Sequence, residues 1–215
     1  MPSLVGSEMC IRDRVNNEVE KLIFYRGLGD FDTPLTVSEK NGYITIVNNS
    51  NQDIKGLTLL NYRDGYNEYT HITELKSFAK TIITSNHNRF KTYNGYLDSA
   101  KKTIVKDLIA SGLYQDESNA MVNTWEGGYF KTKGLRLLYV LPTEWTEKIL
   151  PMKVQPSPKE LVRTLVGRIE IITGEDDKKI LEFVNTKVKN NKITSFEING
   201  REMKGLGHFP EPKLR

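Results

Sequence analysis

The 215-residue chain contains a single cysteine, Cys10, and only three histidines, His71, His87 and His208. One thiol cannot form an intramolecular disulfide bond and cannot build a thiolate metal site. The histidines are so far apart in the sequence that a shared metal site would need a tertiary coincidence, whereas exposed or hydrogen-bonded histidines are common. We therefore predict no metal and no other cofactor.

Long apolar runs and catalytic signature motifs are also missing. The apolar run at residues 135–141 is far shorter than the roughly 18 residues that cross a bilayer, and it contains Arg136. No phosphate-binding loop, nucleophile elbow, HExxH zinc motif or EF-hand loop occurs. Gly27-Leu28-Gly29 has Asp32 where a dinucleotide-binding fingerprint has its third glycine, which favours a turn over a phosphate site. These absences lower the expectation that the chain is an enzyme.

The N-terminal segment is of a different kind. Residues 4–13, with the sequence LVGSEMCIRD, resemble one reading frame of an adapter used in DNA library preparation, and Arg14 fits the codon at its edge. We predict that residues 1–14 are an adapter-derived, disordered leader and that the genuine fragment begins at about Val15. On this interpretation an N-terminal domain of the same protein is missing, and Cys10 is not a native residue.

The net charge of +4 is unevenly distributed, because Lys and Arg outnumber Asp and Glu from Lys178 onward. A nucleic-acid surface usually interleaves its positive charges with aromatic residues, and this region has only Phe183, Phe196 and Phe209. We interpret the excess as a solvated basic surface and predict no nucleic-acid partner.

Residues 15–92 have the pattern of an antiparallel β region. Short alternating segments are separated by turn dipeptides, of which Asn41-Gly42 and Asp64-Gly65 are typical of hairpins. The predicted strands are residues 22–25, 35–37, 43–47, 57–62, 66–72 and 78–84. Strands at this spacing predict a sandwich, or a sheet with one covered face.

Residues 93–215 form an α+β region that we expect to continue the same sheet. Apolar residues recur at helical spacing from Leu97, and Gly112 suits the position just after that helix. Asp116 is the predicted cap of a second helix, which Gly127-Gly128 would end, so the two make a helical hairpin. Further predicted elements are strands at 135–141 and 166–172, helices at 144–150 and after residue 174, and a hairpin around 199–200. The fold class is therefore α+β, with a sandwich-like N-terminal half followed by a helical hairpin packed on further strands.

Two groups of residues are candidates for a binding site. Trp125, Tyr129 and Phe130 surround the glycine pair, where an aromatic platform could grip a peptide or a sugar. The alternative is packing, which we favour for Trp125 because it follows Met121 by one helical turn.

Arg136, Arg168 and Glu170 form the second group, because each interrupts an apolar strand. Arg168 and Glu170 point the same way, and Arg136 would pair with Glu170 if their strands were neighbours. Such a pair would be structural or would line a cleft. Asp30 and Asp32 also share one side of an extended segment, and with Glu170 they are the carboxylates available to a hydrolase.

Several phrases resemble a known group of proteins. Residues 22–31, 112–114, 120–125, 138–142 and 161–170 are similar to the C-terminal half of an uncharacterised family from environmental bacteria. The resemblance implies a secretion signal and another β-rich region ahead of this one, and hence an extracytoplasmic setting, periplasmic or secreted. It implies no catalytic residues.

The sequence thus predicts a non-catalytic module of a secreted or envelope bacterial protein, acting through protein or glycan contacts. Its expected partners are the missing N-terminal domain and another envelope protein or a glycan, with no membrane span in this fragment. The alternative is a hydrolase using carboxylates among Asp30, Asp32 and Glu170. A pocket with converging ionisable groups would favour the hydrolase. A flat aromatic patch or an unpaired strand edge would favour the binding module.

Overall fold

The computed structural model describes residues 32–63, 66–84, 90 and 92–188, and the backbone of two short hairpins beyond them. In the first hairpin β1 (Asp13–Val15) pairs with β2 (Glu18–Glu20), so two residues of the predicted leader belong to a strand. In the second, β10 (Ser195–Ile198) pairs with β11 (Arg201–Lys204), which confirms the predicted hairpin, while the expected turn residues 199–200 lie outside the described residues. The rest of the leader, the strand predicted at 22–25, and Asp30 lie outside the described residues.

A three-stranded antiparallel sheet comes first in the main body. It consists of β3 (Leu35–Lys40), β4 (Tyr43–Asn48) and β7 (Lys80–Thr84), in the order β3-β4-β7. Asn41 and Gly42 join β3 to β4 with φ angles of 54° and 80°. Two successive residues with positive φ are what a tight hairpin turn requires, so the predicted turn is confirmed.

A four-stranded antiparallel sheet packs against the first one. Its strands are β5 (Ile54–Arg63), β6 (Tyr66–Leu75), β8 (Gly134–Val140) and β9 (Val166–Ile171), in the order β6-β5-β8-β9. Because β8 pairs with β5 across more than seventy residues of chain, the C-terminal half extends the sheet that the N-terminal half began.

The central strands of the four-stranded sheet, β5 and β8, are buried on both faces. One face shares a core with the three-stranded sheet, to which Ile44 and Ile46 contribute from β4 and Leu57 and Leu137 from β5 and β8. The opposite face is covered by two helices. The main body therefore has three layers, sheet on sheet on helices, and the predicted α+β fold is confirmed.

The helices are α1 (Tyr93–Ala110), α2 (Gln115–Thr124), α3 (Thr143–Ile149) and α4 (Gly174–Val188), with a π-helical turn at Glu126–Phe130. Helices α1 and α2 form the hairpin that the sequence predicts.

The start of α1 lies one turn before its apolar periodicity. Thr92 caps the helix, because its hydroxyl accepts a hydrogen bond from the backbone N–H of Gly95 at 3.2 Å. Gly112 lies just beyond the other end with φ 109°, as predicted.

Three predicted boundaries are wrong. Asp116 is not the cap of α2 but lies in its first turn, because the cap is Tyr114, two residues earlier, whose backbone N–H donates to the Glu117 carboxylate at 2.8 Å. Thr143 is the first residue of α3 and not its cap. Strand β7 begins at Lys80 and not at Phe78, because Phe78 has φ 53° and cannot continue a strand.

Gly127-Gly128 also differs from the prediction, because the pair does not end the helical path. Both glycines lie inside the π-helical turn, in which the N–H of Tyr129 donates to the Trp125 carbonyl and the N–H of Lys131 donates to the Glu126 carbonyl. The chain therefore stays wound for one more turn before it enters β8.

Candidate functional site

All six residues predicted to form a binding site lie together where the π-helical turn meets β8 and β9. Trp125 and Phe130 are buried in the helix-side core, whereas Tyr129 is half-buried. The rings of Trp125 and Tyr129 stack with 5.2 Å between centroids. Packing, the interpretation favoured for Trp125, is confirmed, so only the edge of the aromatic group reaches solvent.

Arg136 is the most deeply buried charged residue of the described part, with a fully buried side chain. It lies opposite Glu170 on the neighbouring strand, and its Nε donates to the Glu170 carboxylate at 3.2 Å, as the sequence predicts for adjacent strands. The remaining guanidinium nitrogens donate to the carbonyls of Tyr129, Thr132 and Lys133. Burial lowers the pKa of Arg136, and the Glu170 carboxylate acts in the opposite direction.

Arg168 completes the group from β9. Its guanidinium lies over the Tyr129 ring, 4.4 Å from the centroid, and donates to the Gly128 carbonyl at 3.2 Å. It also forms an ion pair with Glu170, so that one carboxylate bridges two arginines. We call Trp125, Tyr129, Arg136, Arg168 and Glu170 the arginine cluster.

A second carboxylate lies at the rim of the arginine cluster. Glu126, the first residue of the π-helical turn, forms ion pairs with Lys131 at 2.6 Å and with Lys101 at 2.9 Å. The hydrogen bonds from Lys131 and then Lys101 lower the pKa of Glu126 to about 2. Sequence reasoning missed Lys101, because it lies 25 residues away on α1 and only the packing of the helices brings it close.

The arginine cluster is a structural tie more than a reactive site. Its guanidinium groups are engaged by backbone carbonyls, by Glu170 and by the Tyr129 ring. Of the hydrolase candidates, Glu170 is thereby held between two arginines, and Asp32 is exposed. Within the described residues, the hydrolase candidates therefore do not form a pair of carboxylates that line one pocket.

Two open cavities, of about 520 and 300 Å³, lie elsewhere on the described surface. The larger one includes Asp53, whose carboxylate accepts from Lys76 and from the backbone N–H of Ser77. The smaller one includes Glu39, whose two oxygens accept from the N–H groups of Gly42 at 2.7 Å and Gly174 at 3.1 Å. In both cavities the carboxylate already accepts hydrogen bonds from backbone N–H groups of a loop or a helix start, which is a structural role.

His71 is the histidine with the most suggestive neighbours. Its Nε2 lies 3.1 and 3.0 Å from the two carboxylate oxygens of Asp107. This contact links β6 to α1. Thr58 lies directly opposite His71 on β5, and its hydroxyl has no hydrogen-bond partner in the described part of the chain. A hydroxyl, an imidazole and a carboxylate are the groups of a nucleophilic triad. Thr58 is fully buried, however, so no substrate can reach it.

The outer face of the three-stranded sheet, unlike Thr58, is accessible to solvent. Its strands alternate, so that one face packs in the sandwich and the other faces solvent. The pairing registers arrange nine residues of this face in three rows of three, which we call the outer grid; seven of them are exposed, and Thr45 and Val47 on the central strand are half-buried. The rows are Lys40, Tyr43 and Thr84; Ser38, Thr45 and Ile82; and Thr36, Val47 and Lys80. Tyr43 is 55% exposed and Ile82 is 57% exposed, and the pairing of β4 with β7 places them diagonally next to each other.

Sequence reasoning did not single out the outer grid. The alternation within each strand was visible, but the rows depend on pairing β4 with β7, which are separated by more than thirty residues of chain.

The described residues contain no group of three or more His, Cys, Asp or Glu side chains that could hold a metal ion. None of the helices seen in the described ranges has the length and hydrophobicity to cross a membrane. No protein-family model matches the chain, and no curated protein and no solved structure matches it either.

Proposed function

We propose that this chain is a non-catalytic contact module of a secreted or envelope bacterial protein, and that it meets a protein or a glycan through the outer grid. The extracytoplasmic setting rests on the resemblance of residues 22–31 and 161–170 to the environmental bacterial family. The contact function rests on the exposed side chains of the outer grid.

The observation that carries the proposal is that no element in the described part of the chain covers the outer grid. Helices α1 and α2 cover the far face of the four-stranded sheet, but no described element covers the far face of the three-stranded one. A flat face that displays Tyr43 and Ile82 among hydroxyl side chains offers both apolar contact and hydrogen bonding. Such a mixture is typical of recognition surfaces.

The hydrolase alternative has less support. Glu170 is bonded to Arg136 and Arg168, so its oxygens already accept hydrogen bonds within the protein. Asp32 lines neither of the two cavities, and Asp30 lies outside the described residues.

The proposal can be tested by sedimenting the full chain with isolated bacterial cell envelopes. We expect the wild-type chain to pellet with the envelopes and the variant Ile82→Glu to remain in the supernatant, because it places a charge in the middle row of the outer grid. The matched control is Leu181→Glu on α4, since Leu181 is 60% exposed, close to the value for Ile82.

Loss of sedimentation in Ile82→Glu but not in Leu181→Glu supports the outer grid as the contact surface. Equal sedimentation of all three chains, or none for the wild type, overturns the proposal. Treating the envelopes with protease beforehand separates the two kinds of partner, because a glycan survives the treatment and a protein does not.

A further inference from the structure

We infer that the partner of the outer grid is an anionic polysaccharide, a linear chain of sugars that carry carboxylate groups. This inference rests on the proposed function, because it names the kind of molecule that the same surface would bind. Three features of the outer grid support it: its size, its charge and the chemistry of its side chains.

The size of the outer grid favours a narrow ligand. Neighbouring strands lie roughly 4.8 Å apart, and residues on one face recur roughly every 6.7 Å along a strand, so the nine positions span about 10 by 13 Å. With a margin for the side chains, the area is on the order of 300 Å², whereas a stable protein interface takes about 800 Å² from each partner. A sugar chain fits this footprint better than a folded protein or a second copy of this chain.

The charge of the outer grid favours an anion. Lys40 and Lys80 occupy opposite corners, and none of the nine positions carries a carboxylate. Within the described residues neither lysine has an ion pair. The backbone positions of the two lysines lie roughly 16 Å apart along the diagonal of the outer grid, a distance that follows from the same strand spacings. A ligand with repeated carboxylates can meet both, whereas a second copy of the outer grid would place lysines opposite lysines.

The side chains between the lysines match the two surfaces of a sugar. Tyr43 offers an exposed ring, whose electron-rich face attracts the weakly positive C–H bonds of a pyranose. Ser38 and Thr45 offer hydroxyl groups that both donate and accept hydrogen bonds. The Thr36 hydroxyl accepts from the Asn49 amide at 2.6 Å, which leaves its own proton to donate outward.

Titration of the full chain with polygalacturonate, followed by calorimetry, tests the inference. We expect binding that weakens as salt is added, because the attraction to the lysines is screened. The variants Tyr43→Ala and Lys40→Gln/Lys80→Gln are expected to weaken binding about tenfold each, an amount that calorimetry resolves. The double lysine variant should also lose most of the salt dependence.

Matched controls use residues of the same type outside the outer grid. Tyr114→Ala removes a tyrosine that is 51% exposed, and Lys102→Gln/Lys106→Gln removes two exposed lysines of α1. Both controls are expected to bind as the wild type does. Circular dichroism of each variant verifies that it is folded.

The inference is overturned if the wild-type chain does not bind polygalacturonate, or if the controls lose as much affinity as the outer-grid variants. It is also overturned if poly-L-glutamate binds as tightly as polygalacturonate and Tyr43→Ala has no effect, because charge attraction alone would then explain the binding. None of these three results touches the proposed function if Ile82→Glu still releases the chain from envelopes. If Ile82→Glu has no effect there, the proposed function itself fails.

Discussion

The arginine cluster and the outer grid differ in what their side chains already contact. The arginine cluster contains the residue types that sequence reasoning associates with sites, but each of them is engaged inside the protein: Arg136 by three carbonyls and Glu170, and Arg168 by Glu170 and Tyr129. The outer grid contains ordinary strand residues, yet its large side chains remain exposed. The exposure of side chains therefore identifies a binding surface better than their residue types do.

If this comparison is correct, changes in the arginine cluster alter stability, and changes in the outer grid alter binding. The largest expected effect is that of Arg136→Met, which leaves the carbonyls of Tyr129, Thr132 and Lys133 without a donor and leaves Glu170 paired with Arg168 alone. We expect a loss of about 3–5 kcal/mol in the free energy of unfolding, measured by urea denaturation.

The control for this variant is Arg163→Met. Arg163 pairs at 2.8 Å with Glu147, which is about half exposed, and such a pair contributes less than about 1 kcal/mol. A loss for Arg136→Met as small as that of the control would show that the arginine cluster is not a structural tie, and its residues would again be candidates for binding.

The contact between Arg168 and the Tyr129 ring is expected to contribute less. A double-mutant cycle with Arg168→Gln and Tyr129→Leu isolates this contact from the ion pair that Arg168 makes with Glu170. We expect a coupling free energy of about 1 kcal/mol, because the guanidinium is mostly desolvated over the ring. Additive effects of the two substitutions would mean that the stacking contributes nothing to the tie.

The lowered pKa of Glu126, at the rim of the arginine cluster, predicts that the stability of the folded chain depends on pH. Its pKa is lowered from 4.5 to about 2, mainly by hydrogen bonds from Lys131 and Lys101. A lowered carboxylate pKa stabilises the folded state above the pKa of the unfolded chain, and the contribution is lost as the pH falls. The loss should therefore occur between about pH 4.5 and 2.

The measurement is the free energy of unfolding of the wild type and of Glu126→Gln across that range. The difference between the two chains should be largest at neutral pH and should shrink on acidification. A constant difference at all these pH values would show that the charge of Glu126 is not involved.

The fold was largely predictable because its signals are local. Asn41-Gly42 specifies a tight turn from two residues, and the periodicity that starts at Leu97 gives α1 to within one turn. The prediction for Gly127-Gly128 was wrong because the conformation of these two glycines is not determined by the neighbouring sequence alone. Arg136 binds the Tyr129 carbonyl from a neighbouring strand, and this contact belongs to the π-helical turn that continues past both glycines.

The site was predictable only in part. The pairing of Arg136 with Glu170 follows from period-two geometry once β8 and β9 are adjacent, but adjacency is a tertiary fact that the sequence gives no direct sign of. The outer grid was harder still, because a solvent-facing strand position looks the same whether or not it belongs to a binding surface. Only the registers of β3, β4 and β7 show that Tyr43 and Ile82 lie on one face.

The smallest expected effect is the loss of stability in Ile82→Thr. Ile82 faces solvent, and threonine keeps the β-branched shape that strands favour, so the free energy of unfolding should change by no more than about 0.5 kcal/mol. The next residue on the same strand, Ile83, is 6% exposed and faces the sandwich core. The same substitution there buries a hydroxyl and should cost more than about 1 kcal/mol. If the two variants lose the same stability, Ile82 is covered in the folded chain, and the outer grid is then as occupied as the arginine cluster.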